Sequence, residues 1–407
     1  MRRPLVLLAL AFCAVAPAGA QKAPAIDSTG REAIAKLLQA AVERGDAAGI
    51  VAAVVAPSGE IYRGAAGEQN VSAHLPLAPD AIFRIFSMTK PVTSAAAMLL
   101  VEEKRLGLDD PIAKHLSAKD ANQAVVMMDQ TGHFVTRPPA TPVTVRHLLT
   151  HTSGIAYAFS NEVLSKVQET APSIPDTSIL VHDPGERWTY GPSTKVLGDI
   201  VAAVSGQSLD VFLDERIFKP LAMNDTGFSI PGDKLARLAT SHQRRDGKLV
   251  EQPNPATAPH QVRGDSGLYS TASDYGRFLR MLLNGGELDG RRVLSEATVR
   301  EMTTNQIGAL KVETQPAVNP AFSSAFPKGG GRDAWGFGFQ IARPETPDPR
   351  RRSPGSLSWS GAMNTHFWVD PERRIGAVLL VQILPFGDAV AMQLLDEFEA
   401  AVYAALE

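Results

Sequence analysis

The chain has 407 residues, 44% of them hydrophobic and 20% charged, with a formal net charge of −3. That supplies apolar material for a large core and excludes a disordered chain. The slightly acidic balance, with no long basic run, argues against nucleic acid as a partner.

The first segment reads as a leader. Met1-Arg2-Arg3 supplies positive charge, Pro4 to Val15 is apolar, and Ala18-Gly19-Ala20 is a small-residue cleavage signal. A signal peptide at 1–20, cut after Ala20, implies export to the periplasm or beyond the cell. The apolar run is too short to span a bilayer, and no later segment is long and apolar enough, so no transmembrane segment is expected in the mature chain. The single cysteine, Cys13, lies in the leader, which leaves the mature protein without thiols or disulfides.

Further on, the elements alternate in type. Ala33, Ile34, Leu37, Leu38 and Ala41 share one face of a helix over Arg31 to Glu43. Ile50 to Ala56 and Glu60 to Gly64 form a hairpin about Pro57-Ser58-Gly59. A helix carrying Ser87 follows, with Gly107 as its cap. Ala124 to Met128 and His133 to Thr136 form a short hairpin around Gly132. Val145 to Thr150 is a short helix, and Arg350-Arg351-Arg352 reads as a solvated loop. Helices are expected at Ser273 to Leu283 and Ser295 to Thr303. Strands are expected at Trp335 to Ala342, Leu357 to Ala362, Thr365 to Asp370 and Ile375 to Leu384, then a helix from Gly387 to Leu406. This pattern implies an α+β fold: an antiparallel sheet flanked by N- and C-terminal helices, with a mostly helical insertion. The sheet domain spans 21–108 and 263–407, and the helical domain 109–262.

Three motifs carry chemistry. In Phe86-Ser87-Met88-Thr89-Lys90-Pro91 a hydroxyl and an amine lie nearly one helical turn apart, on one face. A serine hydroxyl needs a base to become a nucleophile. A desolvated lysine serves either as neutral amine or by holding another base in its anionic form. In Glu186-Arg187-Trp188-Thr189-Tyr190-Gly191-Pro192 a tyrosine precedes a turn and an amphipathic helix, placing a phenol at a loop tip. In Ser358-Trp359-Ser360-Gly361-Ala362 an aromatic lines a pocket wall, and glycine allows substrate near the backbone. Other stretches are decoys. Gly264-Asp265-Ser266-Gly267 imitates a protease nucleophile loop without the fold to match. His147 and His151 lack the third ligand a zinc site needs, so no metal is expected. His151-Thr152-Ser153-Gly154 reads as a capped loop. No Gly-x-Ser-x-Gly elbow occurs.

Together these residues resemble the class C β-lactamase and DD-peptidase superfamily. The shared features run in order: Ser87-Met88-Thr89-Lys90-Pro91, Leu106-Gly107-Leu108-Asp109-Asp110-Pro111, Leu148-Leu149-Thr150-His151-Thr152-Ser153-Gly154, Pro184-Gly185 before Tyr190, Gly267-Leu268 with Ser270-Thr271-Ala272-Ser273-Asp274, and Val369-Asp370-Pro371. The resemblance implies a transpeptidase-like fold, Ser87 as nucleophile, Lys90 and Tyr190 as base, and backbone N–H groups of Ser87 and Ala362 as the oxyanion hole. Two departures mark a branch. Pro192 stands where a β-lactamase carries asparagine, and Trp359-Ser360-Gly361 replaces a motif with a cation that grips carboxylates. Loss of that charge-assisted contact weakens anionic substrates by a few kcal/mol. The Trp-x-Gly pattern is similar to family VIII carboxylesterases.

The expected activity is therefore hydrolysis of short- to medium-chain esters through a Ser87 acyl-enzyme, needing no cofactor, metal or obligate protein partner. The expected proton route keeps Lys90 cationic so that Tyr190, as tyrosinate, takes the serine proton. Trp359, Ser360 and Gly361 would contact substrate. The alternatives are a β-lactamase or DD-peptidase, an acyltransferase on the same scaffold, or a penicillin-recognising sensor that acylates once and stops.

Overall fold

Valines, isoleucines and alanines fill the strands that build the centre of the molecule. In the computed structural model, which describes residues 23–117, 124–129, 133–254, 256–257 and 259–407, eight strands form one antiparallel sheet. They are β1 (Gly49–Ala56), β2 (Gly59–Asn70), β3 (Leu75–Pro76), β4 (Ala334–Trp335), β5 (Gln340–Ile341), β6 (Leu357–Gly361), β7 (Thr365–Asp370) and β8 (Ile375–Leu380). Their order is β4-β5-β6-β7-β8-β1-β2-β3, so both ends of the chain enter one sheet, where β1 pairs with β8. The leader, its cleavage point after Ala20 and Gly132 lie outside the described residues.

The sheet is buried on both faces, as the alternation along β1 shows. Ile50, Ala52 and Val54 face one core with Ile34 and Leu38 of α1 (Ser28–Glu43) and Leu394, Phe398 and Val402 of the C-terminal helix, α9 (Ala389–Ala405). Val51, Ala53 and Val55 face a second, larger core. That core takes in α2 (Thr89–Glu102), α3 (Val145–Thr150), α5 (Ser193–Ser205) and α7 (Ala272–Leu283). The remaining helices are α4 (Glu162–Thr170), α6 (Leu209–Leu213) and α8 (Glu296–Met302). Since Leu148, Trp188 and Leu197 share this core with strand residues, the helical region and the sheet close over one interior. No single helix among the described residues is long and apolar enough to cross a membrane.

Several expectations about elements change. Ser87 lies ahead of the helix, in a 3-10 turn over Phe86–Met88, and α2 starts at Thr89. Pro91 then falls in the first turn, where the missing N–H has no intrahelical partner to lose. Gly107 does not cap α2: the helix ends at Glu102, and Lys104 takes the left-handed conformation instead, at φ 59°. The run from Trp335 to Ala342 is a hairpin, β4 and β5, because Gly338 turns the chain at φ 96°. The strand begun at Ile375 stops at Leu380, and Ile383–Leu384 joins a separate sheet beside Ser241–Arg245. The arginine cluster lies in a loop that is solvated only in part: Arg350 is exposed, but its two neighbours turn toward α9. Arg351 donates to the Asp396 carbonyl, and Arg352 pairs with Glu399 of α9.

Candidate active site

The Ser87 turn is braced from three sides. Phe86 sits at φ 41°, a strained conformation for a bulky side chain that persists only where neighbours impose it. Ile85 N–H donates to the Leu268 carbonyl at 3.0 Å, and the Tyr275 hydroxyl donates to the Met88 carbonyl at 2.9 Å. The third brace is β6. A Cβ on Gly361 would lie 2.3 Å from the Ile85 carbonyl, so glycine lets this strand run against the turn. Close packing of backbone on backbone, rather than access for substrate, is thus what Gly361 provides first.

The structure brings Ser87, Lys90 and Tyr190 together. Lys90 Nζ lies 2.9 Å from Ser87 Oγ, and Tyr190 lines the same cleft as Ser87 with its ring 4.7 Å below the Lys90 amine. Trp359 Nε1 donates to the Tyr190 hydroxyl at 3.2 Å. The indole therefore holds the phenol as well as lining the cleft. Ser360, Gly361 and Ala362 line the same cleft as Ser87, together with Phe159, Phe322, Phe326 and Phe386. Among the described residues that line it, none is charged. The His151 ring packs 5.0 Å from that of Tyr190 and 5.2 Å from that of Trp335.

Two residues the motifs did not offer complete the surroundings of Lys90. Its amine reaches the Tyr157 hydroxyl at 3.2 Å and the Asp265 carbonyl at 2.9 Å. The Tyr157 hydroxyl in turn donates to Asp265 Oδ2 at 2.6 Å, and Arg263 donates to both carboxylate oxygens at 3.0 Å. Asp265 belongs to the Gly-Asp-Ser-Gly stretch set aside as a decoy. It is no nucleophile loop, yet its aspartate stands behind the site. Gly264 lets the loop press on α5, since a Cβ there would lie 2.3 Å from the Thr194 carbonyl. Flanking glycines around a carboxylate were the available signal for Asp265. Tyr157 carried none beyond standing three residues after Gly154.

The electrostatics favour a different proton route from the expected one. Lys90 is fully buried, and desolvation pulls its ammonium down to about 7, against the pull of Asp265 and with the push of Arg263. Burial pushes the Tyr190 phenol up, and the polar groups beside it, Ser87 and Trp359, offset this only in part. Lys90 also lies 4.7 Å above the Tyr190 ring, a contact with the π-face rather than with the phenolate oxygen. Of the two, the amine is the group that burial drives toward its neutral form.

A family model described as Beta-lactamase matches residues 34–401. Among curated proteins, Protein Rv1367c of Mycobacterium tuberculosis is 38% identical over 78% of this chain and 82% of its own. Acyltransferase calJ of Penicillium decumbens is 30% identical over 85% and 86%. Lovastatin esterase of Penicillium rubens is 26% identical over 90% and 96%. Among solved structures, unliganded simvastatin synthase (LovD) from Aspergillus terreus superposes with a TM-score of 0.79 at 26% identity, covering 93% of this chain and 99% of that one.

Proposed function

The chain belongs to the beta-lactamase family of serine hydrolases, and from that premise we propose that it is a carboxylesterase acting through a Ser87 acyl-enzyme. The observation that carries this reading is the 2.9 Å contact of Lys90 Nζ with Ser87 Oγ, beside Tyr190, at an uncharged aromatic cleft. A neutral Lys90 amine has two N–H bonds and one lone pair. The two hydrogens suit the Tyr157 and Asp265 oxygens, leaving the lone pair for the serine proton.

In acylation, Lys90 takes that proton as Oγ attacks the ester carbonyl. Backbone N–H groups of Ser87 and Ala362 receive the oxyanion, each contributing about 3 kcal/mol. The alcohol then leaves with the proton of the Tyr190 hydroxyl, and the Lys90 ammonium gives up the proton it took from Ser87 to restore that phenol through a water, since it contacts the Tyr190 ring and not its oxygen. Water repeats the sequence on the acyl-enzyme. Trp359, in place of a cation, favours neutral acyl groups over carboxylates. The test is a panel of p-nitrophenyl esters set against a chromogenic cephalosporin. Short and medium esters should turn over faster; faster turnover of the cephalosporin would overturn the assignment.

A second reading, acyl transfer to an alcohol, is favoured by a cavity of about 580 Å³ that shares Phe326, Trp359, Ser360 and Phe386 with the Ser87 cleft. It has room for an acceptor larger than water, and relatives such as calJ bear acyltransferase names. Product analysis with added alcohol separates the readings: ester product exceeding free acid marks transfer.

A further inference from the structure

Outside the Ser87–Lys90–Tyr190 set, one group of buried charges touches the reacting region without an assigned role. Asp265 is 1% exposed, yet its carboxylate does not bond the neighbouring Lys90. It accepts from Tyr157 on one side and from Arg263 on the other, while its own carbonyl accepts from Lys90. The lysine thus has three partners, all of them uncharged oxygens, and the carboxylate acts on it one atom removed. Were the carboxylate to grip the amine directly, it would fix the ammonium and abolish the base.

We propose that Asp265 is a positioning residue for acyl transfer: through its carbonyl, and through Tyr157 by its carboxylate, it aims Lys90 at Ser87 and, together with Arg263, sets the pH at which that amine becomes competent. This rests on the reading of Lys90 as the base. The groups facing Lys90 come from several elements. Ser87 precedes it on the same turn. His151 follows α3, and burial keeps its imidazole neutral. Tyr157 and Tyr190 lie on loops, and burial raises both phenols. Asp176 lies near enough to feel Asp265 and Arg263. That leaves Asp265 and Arg263 as the two opposed charges acting on the amine: the first favours its protonated form and the second opposes it.

The experiment is the pH dependence of kcat/KM for p-nitrophenyl butyrate hydrolysis. Asp265→Asn keeps an acceptor for Tyr157 but removes the charge, so the acidic limb should move to lower pH by about one unit. Arg263→Gln should move it to higher pH. Asp265→Glu should return it toward the parent position. Tyr157→Phe should lower kcat about tenfold with little movement of the limb, because it removes a bond and no charge. A role confined to stability would not drive the two charge variants in opposite directions. Limbs that stay fixed, or that move together, would overturn the proposal. If Asp265→Asn does not fold, Arg263→Gln alone decides: a limb that does not rise refutes the idea. Labelling of Ser87 by a fluorophosphonate in each variant keeps the outcomes distinct. Loss of labelling together with persistent turnover indicts the Ser87 mechanism rather than Asp265.

Discussion

Two inward-turned cations on opposite faces of the sheet meet contrasting fates. Arg352, on the α9 side, meets a carboxylate directly: its backbone N–H, Nε and Nη2 reach Glu399 at 3.0, 3.2 and 2.7 Å. Burial lowers its affinity for the proton, but the charge and hydrogen bonds of Glu399 outweigh this and hold it cationic. Lys90, on the α2 side, is fully enclosed whereas Arg352 keeps 20% of its side chain exposed, and it faces only neutral oxygens, so desolvation prevails. The lesson is that burial alone does not make a base. A buried cation becomes reactive where its carboxylate is held one step away, and structural where the carboxylate is in contact.

The largest effects test whether the Lys90 side is chemical. Ser87→Ala should reduce p-nitrophenyl butyrate turnover by about six orders of magnitude; substantial residual turnover would remove the nucleophile from this account. Lys90→Arg should lose about 10³- to 10⁴-fold, since a guanidinium keeps the positive charge but does not release a proton. Under the alternative, with a cation steadying a tyrosinate, arginine would instead preserve much of the rate. Tyr190→Phe should cost about 10²-fold in kcat with KM little changed, as expected for proton delivery to a leaving group.

Much of the frame behind this contrast could be read from the chain. The strands at Gly49–Ala56 and Thr365–Asp370 and the helix at Ser28–Glu43 announce themselves by period, because apolar side chains must repeat with the geometry of the element. Ser87, Lys90 and Tyr190 were legible because two of them sit within one turn and the third sits before a Gly-Pro turn. Asp265 and Tyr157 were not. Their contact spans 108 residues and exists only once α2, α3 and α7 have packed, so no local spacing encodes it. The neutral state of Lys90 was hidden for the same reason: desolvation is a property of the closed core. Gly338 and Lys104 show the local limit, where one left-handed residue ends an element that the apolar pattern would have continued.

Stability sharpens the comparison next. Lys90 has a native pKa lowered from 10.5 to about 7, so the unfolded chain binds more protons between these values and stability rises with pH across that window. Lys90→Met should therefore stabilise the protein near pH 7, by roughly 2 kcal/mol after allowing for the orphaned acceptors, and the gain should shrink toward pH 10. Glu399→Gln should act the other way, lowering stability by about 3 kcal/mol at neutral pH because Arg352 loses its counter-charge. Burial alone would raise the Glu399 carboxyl, but Arg352 carries it below its ordinary 4.5. The contribution of this pair is thus complete above about pH 4.5 and fades as pH falls through the native value. Hydrolysis of a short ester per folded molecule should hold in Glu399→Gln and vanish in Lys90→Met. Urea denaturation at several pH values reads all of this, and a destabilised Lys90→Met would contradict the desolvation argument.

The smallest expected effect lies at Trp359, where the two accounts of the indole separate. As a wall, it only shapes the cleft; as a donor to the Tyr190 hydroxyl, it also holds the phenol in place. Trp359→Phe keeps an aromatic surface and removes the N–H. If the bond matters, kcat should fall about tenfold with KM for a butyrate ester nearly constant, the size expected for one lost hydrogen bond of roughly 1.4 kcal/mol. If the indole is only a wall, KM should change instead and kcat should stay. The split between these constants decides whether the indole at this position serves specificity alone or proton delivery as well.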